Sequence, residues 1–373
     1  MNKAILISLL LVSQILSAQL PKPNHIVIVM FQNKAYSQIV GSSNAPYINS
    51  LIADTNTALF TQSYALTHPS QPNYLMLYSG SNQGVTNDNV PTNTPFTTCN
   101  LGASLLASAF TFTGYSESMP SPGYLGNSTS LYFRKHNPWS DWQGTKSNNV
   151  PASVNQPFTS FPTNYDLLPD VCFVIPNIIN CMHDGTVQQG DTWLHDNLNE
   201  YIQWAKTHNS LLILTFDEDN GSSNNRILTF FLGPMVKSGS YNTHITHYNV
   251  LRTIEDIYHL PACANSATNS AINFVWKTVT VGLNENLHSI KNITIWPVPS
   301  KEQFKINISS DVSQEGINIS LMDLSGRTIK RKQINLEEGE NTLNFYTNDL
   351  EAGVYLINVS GREIYFNKKI TIE

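Results

Sequence analysis

Ser70 stands in "THPSQPNYLMLYSGSNQGVTND", residues 67–88, directly ahead of Gln71-Pro72 and a helix-like run, "PNYLMLYS". Proline is favoured in a first helical turn, where its missing N–H is no loss. Ser70 is therefore predicted at a helix N-terminus. Free N–H groups and the positive dipole end there stabilise an anion or lower a hydroxyl's pKa. Read alone, the same serine is an ordinary helix N-cap. A second stretch, "LLILTFDEDNGSSNNR", carries a buried-strand pattern straight into Asp217, Glu218 and Asp219. Adjacent carboxylates repel one another unless a cation sits among them, and a hard divalent ion with oxygen ligands meets that need. The plain alternative is a solvated acidic turn. "DEDNG" has a calcium-loop look, but no glutamate closes the twelve-residue pattern. A third stretch, "HIVIVMFQNKAYS", ends its apolar run at two amides, Gln32 and Asn33. Amides are poor acids and bases, yet their carbonyl oxygens can face a hard cation.

Histidines supply the remaining chemistry. His136 lies in "YFRKHNPW", His183 and Asp184 in "NCMHDGTVQQGDTW", and His244 and His247 in "THITHYNVLRT". Each taken alone is more often a satisfied structural histidine. His183-Asp184 is the better prospect, since it follows the strand-like "VCFVIPN". Asp191, in "GDTWL", reads equally well as a helix N-cap. A nucleophile at a helix start, acids after one strand, amides after another and histidines from loops together suit phosphoryl transfer. A metal ion lowers the hydroxyl's pKa and holds a phosphate oxygen, histidines move protons, and helix-end N–H groups add to the positive field.

The elements that must position these residues alternate. "HIVIVM", "VCFVIPN", "LLILTF" and "ILTFFL" read as strands apolar on both faces, whereas "PYINSLIAD", "DTWLHDNLNEYIQWAKTH" and "HYNVLRTIEDIYHL" have helical spacing. The prediction is an α/β sheet with helices on both faces, its site at the carboxyl ends of the strands. Beyond Leu287 the pattern turns to short alternating strands, "FKINIS", "INISLMDLSG", "NTLNFY", "GVYLINV" and "KKITIE", an all-β sandwich. The predicted division is a signal peptide at 1–18, the α/β unit at 19–286 and the β-unit at 287–373. Lys3 followed by "AILISLLLVSQIL" and "LSAQ" fits a signal peptide cleaved near Ala18, with an N-terminal anchor helix as the alternative. No later segment is apolar for long enough to cross a bilayer, so the mature protein is expected to be exported. Export makes disulfides possible, and the four cysteines allow three pairings. A formal charge of -6, only 13% charged residues and no basic block exclude a nucleic-acid surface.

The first unit resembles the bacterial phosphoesterase family of acid phosphatases and phospholipases C, in the alkaline phosphatase superfamily. The matching stretches, in the family's order, are "HIVIVMFQNKAYSQIVG", "APYINSL", "THPSQPNYLMLYSGSNQGVTND", "YSESMP", "RKHNP", "NCMHDGTVQQGDTWL", "TFDEDNG" and "HYNVLRTIEDIY". The resemblance implies an alkaline phosphatase-like sheet and Ser70 as a nucleophile that forms a phosphoenzyme. It implies Asp217, Glu218 and Asn33 as ligands of one or more divalent ions, with Ser70 beside them, and His136 and His183 around the phosphate. Asn73, Asp184 and His247 are further site positions. At the first ligand position the family usually has glutamate, and this chain has Gln32. Weaker metal binding or a changed metal preference is the expectation. The implied activity is a phosphatase on a phosphorylated small molecule or lipid headgroup. The alternatives are a phospholipase C-type diesterase and a catalytically silent surface-binding protein. The tail, through "WPVPSKEQF", "LMDLSGRTI" and "LEAGVYLINV", resembles the C-terminal sorting domain of the type IX secretion system. That implies contact with the secretion machinery and a secreted or cell-surface location. A carbohydrate-binding or adhesive β-module is the alternative for the tail.

Overall fold

Strand β1 (His25–Phe31) is buried at every residue after its first. Side chains alternate across a strand, so Ile26, Ile28 and Met30 enter one apolar cluster and Val27, Val29 and Phe31 enter another. A strand buried on both faces belongs at the centre of a sheet covered by helices. In this computed structural model, which describes residues 20–221, 224–277, 286–287, 290–323, 328–361 and 364–373, it does. The expected signal peptide at 1–18 lies outside the described residues.

The remaining strands of the first unit are β2 (Thr57–Phe60), β3 (Ser63–Tyr64), β4 (Phe112–Ser116), β5 (Asn155–Pro157), β6 (Val171–Ile175), β7 (Ser210–Phe216), β8 (Thr229–Leu232), β9 (Gly239–Tyr241) and β10 (Ile245–Thr246). With β1, seven of them form one eight-stranded sheet in the order β5-β4-β6-β1-β7-β8-β2-β9. Only β8 runs against its neighbours. The helices are α1 (Tyr36–Ile39), α2 (Pro46–Ile52), α3 (Ser70–Ser79), α4 (Leu101–Ala107), α5 (Val187–Ala205) and α6 (His247–Ile257). Helices α3, α4 and α6 pack on the Ile26 face; α1, α2 and α5 pack on the Val27 face. The α/β sheet with helices on both faces is thus observed. The apolar runs read from sequence became β1, β6, β7 and β8. Short edge strands such as β5 and β9 carry no comparable run.

Every residue of α3 is buried. A helix enclosed on all sides is a rigid mount for the residue at its start. Its end is fixed by Gly80, whose φ of 69° is left-handed. A Cβ at Gly80 would lie 1.9 Å from the Cys263 carbonyl oxygen, so no larger residue fits. Cys263 is bonded to Cys99, while Cys172 and Cys181 are buried free thiols.

Helix α5 begins four residues earlier than Asp191, at Val187, with Thr186 and Gln189 forming a capping box. Asp191 therefore does not cap its own helix. Its carboxylate accepts from Tyr47 N at 3.0 Å and Ile48 N at 2.7 Å, the open N–H groups of α2. Among the described residues no helix is long and apolar enough to cross a membrane.

The chain divides into two compact units between Lys277 and Thr278, ahead of the 286/287 boundary predicted from composition. The second unit holds an antiparallel sheet of five strands and another of three. Phe304, Ile306 and Ile308 from the smaller sheet meet Ile317, Ile319 and Leu321 from the larger. Alternating burial along Gln303–Ser310 points one face of that strand inward. Each such buried side chain contributes about 2 kcal/mol relative to exposure.

Candidate active site

Strands β1 and β7 are paired in parallel from His25↔Ser210 through to Phe31↔Phe216. Gln32 and Asp217 therefore leave the sheet side by side at its carboxyl edge, where α/β folds place their sites. Asn33 follows with a left-handed φ of 49°, and its N–H donates to Asp217 Oδ1 at 3.1 Å. A non-glycine residue in that region is uncommon and is found at sites where backbone strain is held by its surroundings.

Ser70 is the first residue of α3, after Pro69. Its hydroxyl is not spent on capping. Gln71 N instead donates to Asp88 Oδ1 at 3.0 Å, and Lys135 pairs with Asp88 Oδ2 at 2.7 Å. Ser70 Oγ lies 2.7 Å from Glu218 Oε1, 3.2 Å from Gln32 Oε1 and 3.3 Å from Asn33 Oδ1. One hydroxyl proton can serve only one of these acceptors well. The others are oxygens facing oxygen around one point, an arrangement suited to a cation. Gln32 is held in this sense because its Nε2 donates to Tyr74 OH.

Among the described residues, the buried Oδ2 of Asp217 has no hydrogen-bond partner. Burial and the adjacent Glu218 charge push the Asp217 carboxyl well above the ordinary carboxylate range. Burial raises Glu218 as well, opposed by its bonds to Ser70 and His68. A bound divalent cation would reverse both shifts. Two carboxylates, two amide oxygens and a hydroxyl fit a hard ion. Among the described residues no group of three or more His, Cys, Asp or Glu side chains is placed to hold a metal.

His136 sits in the tight turn Arg134–His136, fixed by the buried Arg134–Asp141 pair at 2.8 Å. Its ring stacks on Tyr74 at 5.4 Å and lies 5.9 Å from that of His183. Burial, reinforced by the charges of Lys135 and His183, pushes His136 well below its usual range, so the imidazole is neutral. His183 Nδ1 bonds Asp184 Oδ1 at 2.6 Å, and its side chain is 25% exposed. Two bonds stitch the His183 loop to the β1 loop: Gln32 N to Cys181 O at 2.8 Å and Lys34 Nζ to Met182 O at 2.5 Å. Tyr74 thus connects the oxygen cluster, through Gln32, to the histidine pair, through His136.

Gln32, Asn33, Ser70, Asp217 and Glu218 converge, and His136 and His183 meet beside them. Asp184 joins only through His183. Two further expectations take other places. His247 Nε2–H donates to the Phe216 carbonyl at 2.9 Å, supporting the end of β7 from behind. Asn73 bonds the backbone of Leu66 and Thr67 and shapes the loop ahead of Ser70. His244 stacks on Tyr64 instead of entering the cluster. Sequence reasoning missed His68, which contacts Glu218 and Asp219, and also Lys34, Tyr74 and the Asp88–Lys135 pair. Proximity of His68 to Ser70 in the chain was the only signal for the first of these.

Residues 42–261 match the model of the Phosphoesterase family, and residues 294–373 match a secretion system C-terminal sorting domain. A phosphatidylinositol-3-phosphatase from Mycobacterium tuberculosis is 45% identical over 262 residues, covering 70% of this chain and 85% of that protein. An acid phosphatase from Aspergillus fumigatus is 29% identical, covering 64% of this chain and 56% of its own length. A phosphate-repressible acid phosphatase from Penicillium chrysogenum is 31% identical, covering 55% and 52%. A solved structure of an alkaline phosphatase superfamily protein from Vibrio parahaemolyticus overlays with a TM-score of 0.47 at 10% identity, covering 85% of this chain and 83% of that one. The chain therefore belongs to the Phosphoesterase family, as a phosphoric ester hydrolase whose type IX sorting domain marks it as secreted or cell-surface.

Proposed function

We propose that this chain is a metal-dependent phosphomonoesterase in which Ser70 is transiently phosphorylated. The observation that carries the reading is the convergence of Gln32, Asn33 and Glu218 side-chain oxygens on Ser70 Oγ. Gln32, Asn33, Ser70, Asp217 and Glu218 would hold the divalent ion, which when bound lowers the hydroxyl's pKa and neutralises a phosphate oxygen. Ser70 Oγ–H, resting on Glu218 Oε1, passes its proton to that carboxylate as Oγ bonds phosphorus and the bond to the leaving oxygen breaks. His183, steadied by Asp184 through Nδ1 and partly open to solvent, supplies the leaving oxygen with a proton from Nε2. His136, buried and neutral, is suited to hydrogen-bonding a phosphate oxygen and not to proton delivery. In the second half, His183 takes a proton from water as the water oxygen attacks phosphorus. The bond to Oγ breaks, Ser70 recovers its proton from Glu218 and phosphate leaves.

The test is hydrolysis of an aryl phosphate monoester by chelator-treated protein with a panel of divalent ions. Turnover should return with a suitable ion, and Ser70→Ala should lower it by about 10⁴-fold or more. A choline phosphodiester is the second substrate. Hydrolysis of the diester alone would move the reading to a phospholipase C-type enzyme. The absence of Ser70-dependent turnover on either substrate would overturn it in favour of a silent binding protein. The name of the mycobacterial relative makes a phosphorylated inositol headgroup a further substrate to try.

A further inference from the structure

We infer that His68 is a positioning residue that fixes the Glu218 carboxylate and thereby sets the affinity of the site for its divalent ion. The inference rests on the metal-dependent reading above. His68 Nδ1 hydrogen-bonds Glu218 Oε2, and Nε2 lies 3.4 Å from Asp219 Oδ1. Ser70 Oγ, two residues on, takes the other oxygen, Oε1. One short loop therefore grips both oxygens of a single carboxylate. Glu218 is left with one setting, in which Oε1 faces the nucleophile and Oε2 is turned away.

The loop is built to hold still. Asn73 Oδ1 accepts from Leu66 N at 3.1 Å and Thr67 N at 3.2 Å. Asn73 Nδ2 and Asn225 Nδ2 both donate to Thr67 O at 2.8 Å. Yet the His68 side chain is 46% exposed, so packing does not explain its order. Hydrogen bonds to a carboxylate do, since they offset the entropy lost in fixing the ring. A group bonded to the far oxygen of a ligand is the kind of partner whose loss costs about 10–100-fold in metal affinity. Without His68, Glu218 Oε2 has to find another donor, and the carboxylate turns away from Ser70.

The test titrates Mn²⁺ into the ion-free full chain by calorimetry, for wild type, His68→Ala, His68→Asn and His68→Gln, with a thermal melt of each. His68→Ala should bind Mn²⁺ about 10–100-fold more weakly. At limiting Mn²⁺ it should lower kcat for an aryl phosphate with little change in KM. His68→Asn places an amide N–H near the position of Nδ1 and should recover most of the affinity; His68→Gln, which reaches toward Asp219, should not. Wild-type Mn²⁺ affinity in His68→Ala would overturn the inference. If His68→Ala does not fold, the other pair decides, and equal affinities in His68→Asn and His68→Gln would overturn it. A folded wild type that binds no divalent ion would instead overturn the metal-dependent reading, and this inference with it.

Discussion

Strands β1 and β7 run side by side in unbroken register and stop at the same level, yet one delivers two amides and the other three acids. Each end also has its own support. Tyr74 OH receives Gln32 Nε2 behind β1, and His247 Nε2–H holds the Phe216 carbonyl behind β7. On the metal-dependent reading proposed above, the difference teaches that an ion site would divide its work between neighbouring strands. Charge comes from one, and neutral oxygens at fixed positions come from the other. A third carboxylate at position 32 would add charge where Asp217 and Glu218 already disfavour each other. On the same reading, Gln32 would relieve that repulsion in the ion-free protein and give up attraction for the cation.

Converting the acidic end into a copy of the neutral one should have the largest effect. Asp217→Asn should weaken Mn²⁺ binding and lower turnover by at least ~100-fold, more than loss of an outer partner does. Calorimetry and aryl phosphate kinetics check this, and near-wild-type values would mean the two ends are interchangeable. Next comes the support of β7. Burial pushes His247 down to about 4, from a usual 6.5. The folded protein then binds fewer protons than the unfolded chain between those values, so stability is full above pH 6.5 and falls as pH drops toward 4. The loss amounts to about 3 kcal/mol. His247→Gln should flatten that part of a stability–pH curve from urea unfolding. An unchanged curve would remove His247 as its source.

Giving β1 the charge of β7 should act in the opposite direction to Asp217→Asn. Gln32→Glu should tighten Mn²⁺ binding about tenfold, since ligand charge tunes affinity, and lower the Tm of the ion-free protein. Equal affinities for the two proteins would sink the idea that Gln32 weakens the site. Tyr74→Phe should be the mildest change. It leaves the fully buried Gln32 amide without its acceptor, costing about 1–2 kcal/mol of stability. Denaturant unfolding measures that, and kcat should move only a few-fold.

The frame of the comparison was legible in the sequence. A run such as "HIVIVM", apolar at every position, has to be an inner strand, and the first polar residues after it have to reach the edge. Ser70 was legible through Pro72, although its role was open until Asp88 was found on the neighbouring N–H. The supports were not legible. Asp88 is 47 residues from Lys135, and His68 is 150 from Glu218. No local period records such pairings; folding alone brings them together. His247 shows the converse. Its place in a family-like motif suggested the site, and its partner turned out to be a backbone carbonyl.

Asp191 adds a kinetic consequence. Helix α2 has only seven residues, and Ala45 at its cap offers no side-chain acceptor. Segments that short do not persist alone in water. Its first-turn N–H groups are closed by a carboxylate one turn in from the start of α5, more than 140 positions along the chain. Helix α2 therefore acquires its lifetime from α5. It should open and exchange its amide hydrogens together with α5, which hydrogen-exchange measurements would check.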